Sequence, residues 1–97
     1  MNVVWTRRAI ERLDEIEGFI AGDNPENVKA FVERLIARGG SLSDFHARGR
    51  VVPELSNPSI RELLVDNYRI VYRCDFNRIV ILTVFEAHRS LRPDEIR

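Results

Sequence analysis

The stretch SIRELLVDNYRIVYR, Ser59 to Arg73, decides how this chain folds. Two runs rich in β-branched and aromatic residues, Ile60 to Val65 and Tyr68 to Cys74, flank Asp66-Asn67, a pair suited to a two-residue hairpin loop. If that loop closes, Val65 pairs with Tyr68, Leu64 with Arg69, Glu62 with Val71 and Ile60 with Arg73. The period of two then sorts the side chains. One face is Leu63, Val65, Tyr68, Ile70 and Tyr72, apolar apart from Arg61, and is expected to be core. The other carries Glu62, Arg69 and Arg73 among Ile60, Leu64 and Val71, with Glu62 diagonal to both arginines on an exposed outer surface.

Working outward, a turn around Asp75-Phe76-Asn77 leads to a third strand, Arg78 to Phe85. Strict alternation puts Ile79, Ile81 and Phe85 on one side and Val80, Leu82 and Val84 on the other, so both faces need cover. The tail, with Leu91 and Ile96, is expected to supply the second cover and to leave His88 and Arg89 beside Glu62, Arg69 and Arg73.

Toward the N-terminus, Val3 to Trp5 reads as a short strand and Thr6 as the N-cap of a helix with Ile10, Leu13, Ile16 and Ile20 on its apolar side, ended by Gly22. Asn24-Pro25 starts a second helix, with Val28, Phe31, Val32, Leu35 and Ile36 in phase to about Phe45 and a break at Gly39. The Gly-Asp-Asn connection makes the pair an antiparallel hairpin. Residues Ala47 to Pro58 read as an irregular loop, and Arg61 as a brace for the helix layer. The fold class is α+β: a helix hairpin on one face of a small, mainly antiparallel four-stranded sheet, in the order β-α-α-β-β-β with a short C-terminal tail.

Composition narrows the function classes. Ninety-seven residues, 44% hydrophobic and 31% charged, make one globular domain, 1–97, and exclude a disordered or repetitive chain. The longest apolar stretch, Ile79 to Phe85, is far short of a membrane span, and one cysteine, Cys74, permits no internal disulfide, so the expected setting is the cytoplasm with no membrane partner. Two histidines, His46 and His88, lie far apart, giving no metal-ligand cluster and no cofactor expectation. Net charge is zero but uneven: −5 over residues 9–33 and +3 over residues 34–73. A neutral chain is an awkward ligand for phosphate-rich partners, which are bound chiefly through accumulated positive charge.

The order of these pieces resembles the RelE/ParE superfamily of bacterial toxins. The strand with Trp5, the helix pair with NPENVKAFVERL, the loop GRVVPEL, the hairpin IRELLVDNYRIVYR and the last strand leading into HRSL carry the likeness over nearly the whole chain. It implies a type II toxin that inhibits bacterial growth and is neutralised by a cognate antitoxin, ParD-like or similar, with operator DNA reached only through that antitoxin. Two targets are implied by two branches: DNA gyrase for ParE-like toxins, and mRNA on the ribosome for RelE-like nucleases. A toxin that has decayed to antitoxin binding alone is a third reading.

Carried over residue by residue, the nuclease arginines fall on Arg69 and Arg89, while its two lysines fall on Ile60 and Glu62, and its late tyrosine has no counterpart in residues 91–96. Cleavage by 2′-hydroxyl attack needs a base and an acid, for which Glu62 and His88 are the candidates, with Arg69 and Arg89 as cations. Glu62 between arginines reads better as an ion-pair partner than as a base near pH 7. GRVVPEL and IRELLV resemble the ParE-like branch more, which favours a gyrase-binding toxin with Arg69, Arg73, His88 and Arg89 as its contact residues.

Overall fold

The computed structural model describes residues 1–20, 25–44 and 48–96. Gly22, the connection 22–24, Phe45 and His46, and the side chain of Ile20, lie outside the described residues. The element order is β1 (Asn2–Trp5), α1 (Arg7–Ile20), α2 (Pro25–Gly40), a 3₁₀ turn (Ser41–Ser43), β2 (Arg50–Val51), β3 (Ile60–Val65), β4 (Tyr68–Cys74), β5 (Arg78–Glu86) and a 3₁₀ turn (Pro93–Ile96).

Two α-helices cover one face of a five-stranded sheet of order β1-β5-β4-β3-β2. The β1–β5 pair is parallel and the rest antiparallel, which makes the sheet mixed. The fifth strand is β2, two residues of the expected irregular loop that pair with β3, Arg50 opposite Glu62 and Val51 opposite Arg61. A strand this short leaves no periodic trace in the sequence.

The β3–β4 hairpin has the register that its turn dictates, from Val65–Tyr68 to Ile60–Arg73, and Asp66 takes the positive φ (52°) that such a turn requires. Its inner face is buried as expected: Leu63, Val65, Tyr68, Ile70 and Tyr72 pack with Ala9, Leu13, Ile16 and Leu35 of the helices. Thr6 caps α1 by accepting the Ala9 N–H at 3.1 Å, and its hydroxyl donates to the Leu82 carbonyl at 3.0 Å. Beyond Ile81, where β1 ends, the open edge of β5 is further closed by Arg12, whose Nε donates to the Val84 carbonyl at 2.9 Å.

Two details differ from the expected pattern. The second helix stops at Gly40 and tightens into the 3₁₀ turn instead of running to residue 45. Gly39 is there for packing, because a Cβ would stand 2.6 Å from the Trp5 ring. Strict alternation also fails in β5. The register shifts from Val71–Thr83 to Tyr72–Ile81, a bulge that leaves Leu82 extra and reverses the parity of everything after it. Ile79 and Ile81 therefore share the inner core with Val84, while Phe85 crosses to the outer cluster with Val80 and Leu82.

Ile10 and Ile36, expected on the buried stripes, are 50% and 46% exposed. With Trp5, Leu13 and Val32 they line an apolar groove of about 390 Å³ between the helices, with Asp14 and Glu17 on its rim.

Candidate functional site

The outer sheet face is covered by chain rather than by solvent. Val52 and Leu55 from the loop after β2, and Leu91 and Ile96 from the tail, close over Ile60, Val71, Val80, Leu82 and Phe85. This places Leu91 and Ile96 as the sequence predicts. Only Leu64 keeps that face open to solvent among the β3 apolar residues, at 46% exposure.

Beneath this cover the expected surface pair is a buried one, which corrects the reading of Glu62 and Arg69 as exposed. The Arg69 side chain is 4% exposed and that of Glu62 is 0%. Arg69 Nε donates to Glu62 Oε1 at 2.7 Å. Its Nη1 and Nη2 fork onto the two oxygens of Glu54 at 2.8 and 2.6 Å, and Nη1 also donates to the Arg89 carbonyl at 2.9 Å. The guanidinium lies 4.7 Å from the centroid of the Phe85 ring, a cation–π contact that exists because the bulge turned Phe85 outward.

The second oxygen of Glu62 accepts from Arg50, both Nε and Nη2 at 2.7 Å. Glu54 also accepts the Leu91 N–H at 2.8 Å. Two arginines and two glutamates thus neutralise one another in a continuous chain from β2 across β3 and β4 to the tail. Hydrogen bonding from Arg69 holds the Glu54 carboxyl down at about 2, with the Leu91 N–H adding to the effect and burial opposing it. The same bonds, from Glu54 first and Glu62 second, raise the Arg69 guanidinium above its ordinary range. Glu54 and Arg69 are therefore both ionised at neutral pH.

The other predicted residues are placed around this chain rather than in it. Arg89 donates to Glu86 at 3.3 Å, lies 5.8 Å from the Phe85 ring, and lines a polar cleft of about 270 Å³ with Arg8, Arg12 and Thr83. His88 is exposed and lines a hollow at the turn end of the hairpin with Asn67, Tyr68 and Glu86. Arg73, expected beside Glu62, instead binds Asp75 through Nε at 2.7 Å and Nη2 at 3.2 Å, and that carboxylate raises its basicity. Arg61 donates to the Gly49 carbonyl at 2.9 Å rather than bracing the helices. Among the described residues, no three His, Cys, Asp or Glu side chains group as metal ligands would.

Sequence reasoning missed Glu54 and Arg50. The available signal was an acidic residue between Val52 and Leu55, in a loop that had to cross a face bearing an arginine. Gly49 was missed for a similar reason. Its N–H donates to the Tyr72 hydroxyl at 2.8 Å, and a Cβ would stand 2.5 Å from both that oxygen and the Glu62 carbonyl. The backbone can run this close to the hairpin only as glycine.

Residues 3–91 match the model of the ParE toxin of the type II toxin-antitoxin system parDE, and the chain belongs to that family. It is 38% identical over 91 residues, 92% of its length and 91% of the relative's, to a protein of Sinorhizobium fredii named "Putative toxin Y4kP". The fold is similar to the chromosomal ParDE toxin-antitoxin system from P. aeruginosa, with TM-score 0.76 and 23% identity over 91% of this chain and 97% of that one. It is also similar to the RelBE2 toxin-antitoxin complex from Mycobacterium tuberculosis, with TM-score 0.60 and 25% identity over 88% of each chain.

Proposed function

We propose that this toxin inhibits growth by binding DNA gyrase, and that a cognate antitoxin neutralises it. The observation that carries the choice of target is the state of Arg69. A nuclease needs that cation free to meet developing negative charge on a phosphate, and needs a base near it. Here the guanidinium spends its donors on Glu62, Glu54 and the Arg89 carbonyl, and Glu62 has both oxygens occupied by arginines. His88, the candidate acid, stands outside this chain of contacts. A binding surface built on Arg89, His88 and Arg73 requires no free base, and each of these side chains retains exposure at the protein surface.

The apolar groove between the helices supports the antitoxin half of the reading. Its floor of Ile10, Leu13, Val32 and Ile36 suits a segment that folds as it binds.

The test is a pair of reactions with purified protein. Added to a gyrase supercoiling reaction it is expected to inhibit, and added to translating ribosomes with end-labelled mRNA it is expected to leave the message intact. Cut mRNA with unimpaired supercoiling overturns the proposal in favour of the ribosome-dependent nuclease. Inactivity in both, with antitoxin binding retained, identifies a decayed toxin.

A further inference from the structure

The turn that follows β5 is anchored first by its own backbone. The Ala87 N–H donates to the Asn67 carbonyl at 2.7 Å and the Arg89 N–H to the Glu86 carbonyl at 3.1 Å. After that the backbone is gripped from outside, twice, by the arginine–glutamate chain: Arg69 Nη1 on the Arg89 carbonyl, and Glu54 Oε2 on the Leu91 N–H. Glu54 is the joint between the two grips. Its carboxylate holds Leu91 directly and holds Arg69 with both oxygens, so it fixes the guanidinium that meets Arg89. It belongs to neither the sheet nor the tail, but to the loop between β2 and β3.

We infer that Glu54 is a positioning residue of this toxin: through Leu91, and through Arg69 onto Arg89, it sets the turn that presents Arg89 to the target. Arg69 then acts through the same turn rather than by touching the target. The inference rests on the reading above that Arg89 faces the target. It assigns Glu54, which the nuclease and binding patterns both leave without a role, to a specific task. Charge-assisted bonds from two directions make the grip stiff, and a single carboxylate makes it dependent on one side chain.

The experiment compares the parent protein with Glu54→Ala, Glu54→Gln, Arg89→Ala and the Glu54→Ala/Arg89→Ala double variant. Two readouts are used: inhibition of purified gyrase in a supercoiling reaction, and amide hydrogen exchange at Leu91. Glu54→Ala is expected to keep its circular dichroism and the slow exchange of the inner strands, while Leu91 exchanges about tenfold faster or more. Its inhibitory concentration is expected to rise about tenfold, and adding Arg89→Ala should cost little further, because both changes remove one contact.

Glu54→Gln keeps an oxygen for Leu91, so it should regain part of the exchange protection and part of the inhibition. It also carries the comparison should Glu54→Ala fail to fold. Unchanged Leu91 exchange in Glu54→Ala, or losses that multiply in the double variant, overturn the inference. An Arg89→Ala protein as inhibitory as the parent overturns the target-facing assignment beneath it. Leu91 exchange separates the two failures, since it would still accelerate in Glu54→Ala in the second case.

Discussion

The two faces of the sheet are covered by different physics. The inner face is apolar side chain against apolar side chain, with Ile70, Ile79, Ile81 and Val84 wholly buried under two helices and Leu35 wholly buried on the second of them. The outer face has a smaller apolar cluster under a loop and a tail, and through it runs a chain of charge whose centre, Arg69 and Glu62, is buried while Glu54 and Arg50 reach solvent. Area stabilises the first, and loss of any one residue is felt in proportion to its size. Mutual neutralisation stabilises the second, and loss of one partner strands another away from water. The helix side is therefore a tolerant scaffold, and the tail side is a device that works whole.

The largest expected effect tests this contrast. Arg69→Ala leaves Glu62 with Arg50 alone and removes both bonds to Glu54, and should cost about 3–5 kcal/mol in urea unfolding. Replacing Arg69 and Glu62 together by methionine should lose much less. A double variant as unstable as the single one would erase the distinction between the faces.

On the inner face, Leu35→Ala should cost about 2–5 kcal/mol with Leu91 exchange unaffected, since the lost volume lies on the helix side. A variant that loosened both faces equally would show that the two covers are one unit. Tyr72→Phe takes the acceptor from the Gly49 N–H and should cost about 1–3 kcal/mol by thermal unfolding, the range for a buried donor left unsatisfied.

The smallest effect is read against pH. Arg69 lowers the Glu54 carboxyl from 4.5 to about 2, so the folded state binds that proton less readily than the unfolded chain. The contribution is fully present above the unfolded value and is lost as pH falls from about 4.5 through about 2. Asp75, held low by Arg73, titrates in the same direction. With the intrinsic pH dependence of amide exchange divided out, Leu91 protection should fall in that acid window in the parent protein and stay flat across it in Glu54→Gln, while the inner-strand amides keep their protection longest. Equal loss of protection on both faces would contradict the assignment to Glu54.

The β3–β4 hairpin was legible because one turn fixes every pair after it, and Asp66-Asn67 names that turn. The N-cap at Thr6 was legible because capping is local. What escaped were features that depend on chain distant in sequence. Arg69 and Glu62 read as exposed because a period of two reports which face a residue takes, and says nothing about what later covers that face. Arg73 read as their companion because register places it on the same side, yet Asp75, two residues on, offered it a nearer partner. The shift in β5 escaped because Ile, Val, Leu and Phe are interchangeable to a hydrophobic pattern. Only the pairing tells Val84 from Phe85.

That shift also sets a rule for lining up relatives of this toxin. Residue spacing along β5, more than chemical similarity, determines whether the arginine of the neighbouring strand rests on an aromatic ring. A strand that kept every residue between Ile81 and Val84 but paired without the bulge would set Val84 opposite the guanidinium, whereas one shorter by the spare residue would keep Phe85 there. Gaps in this strand should be placed at Leu82, where the molecule itself keeps its spare residue.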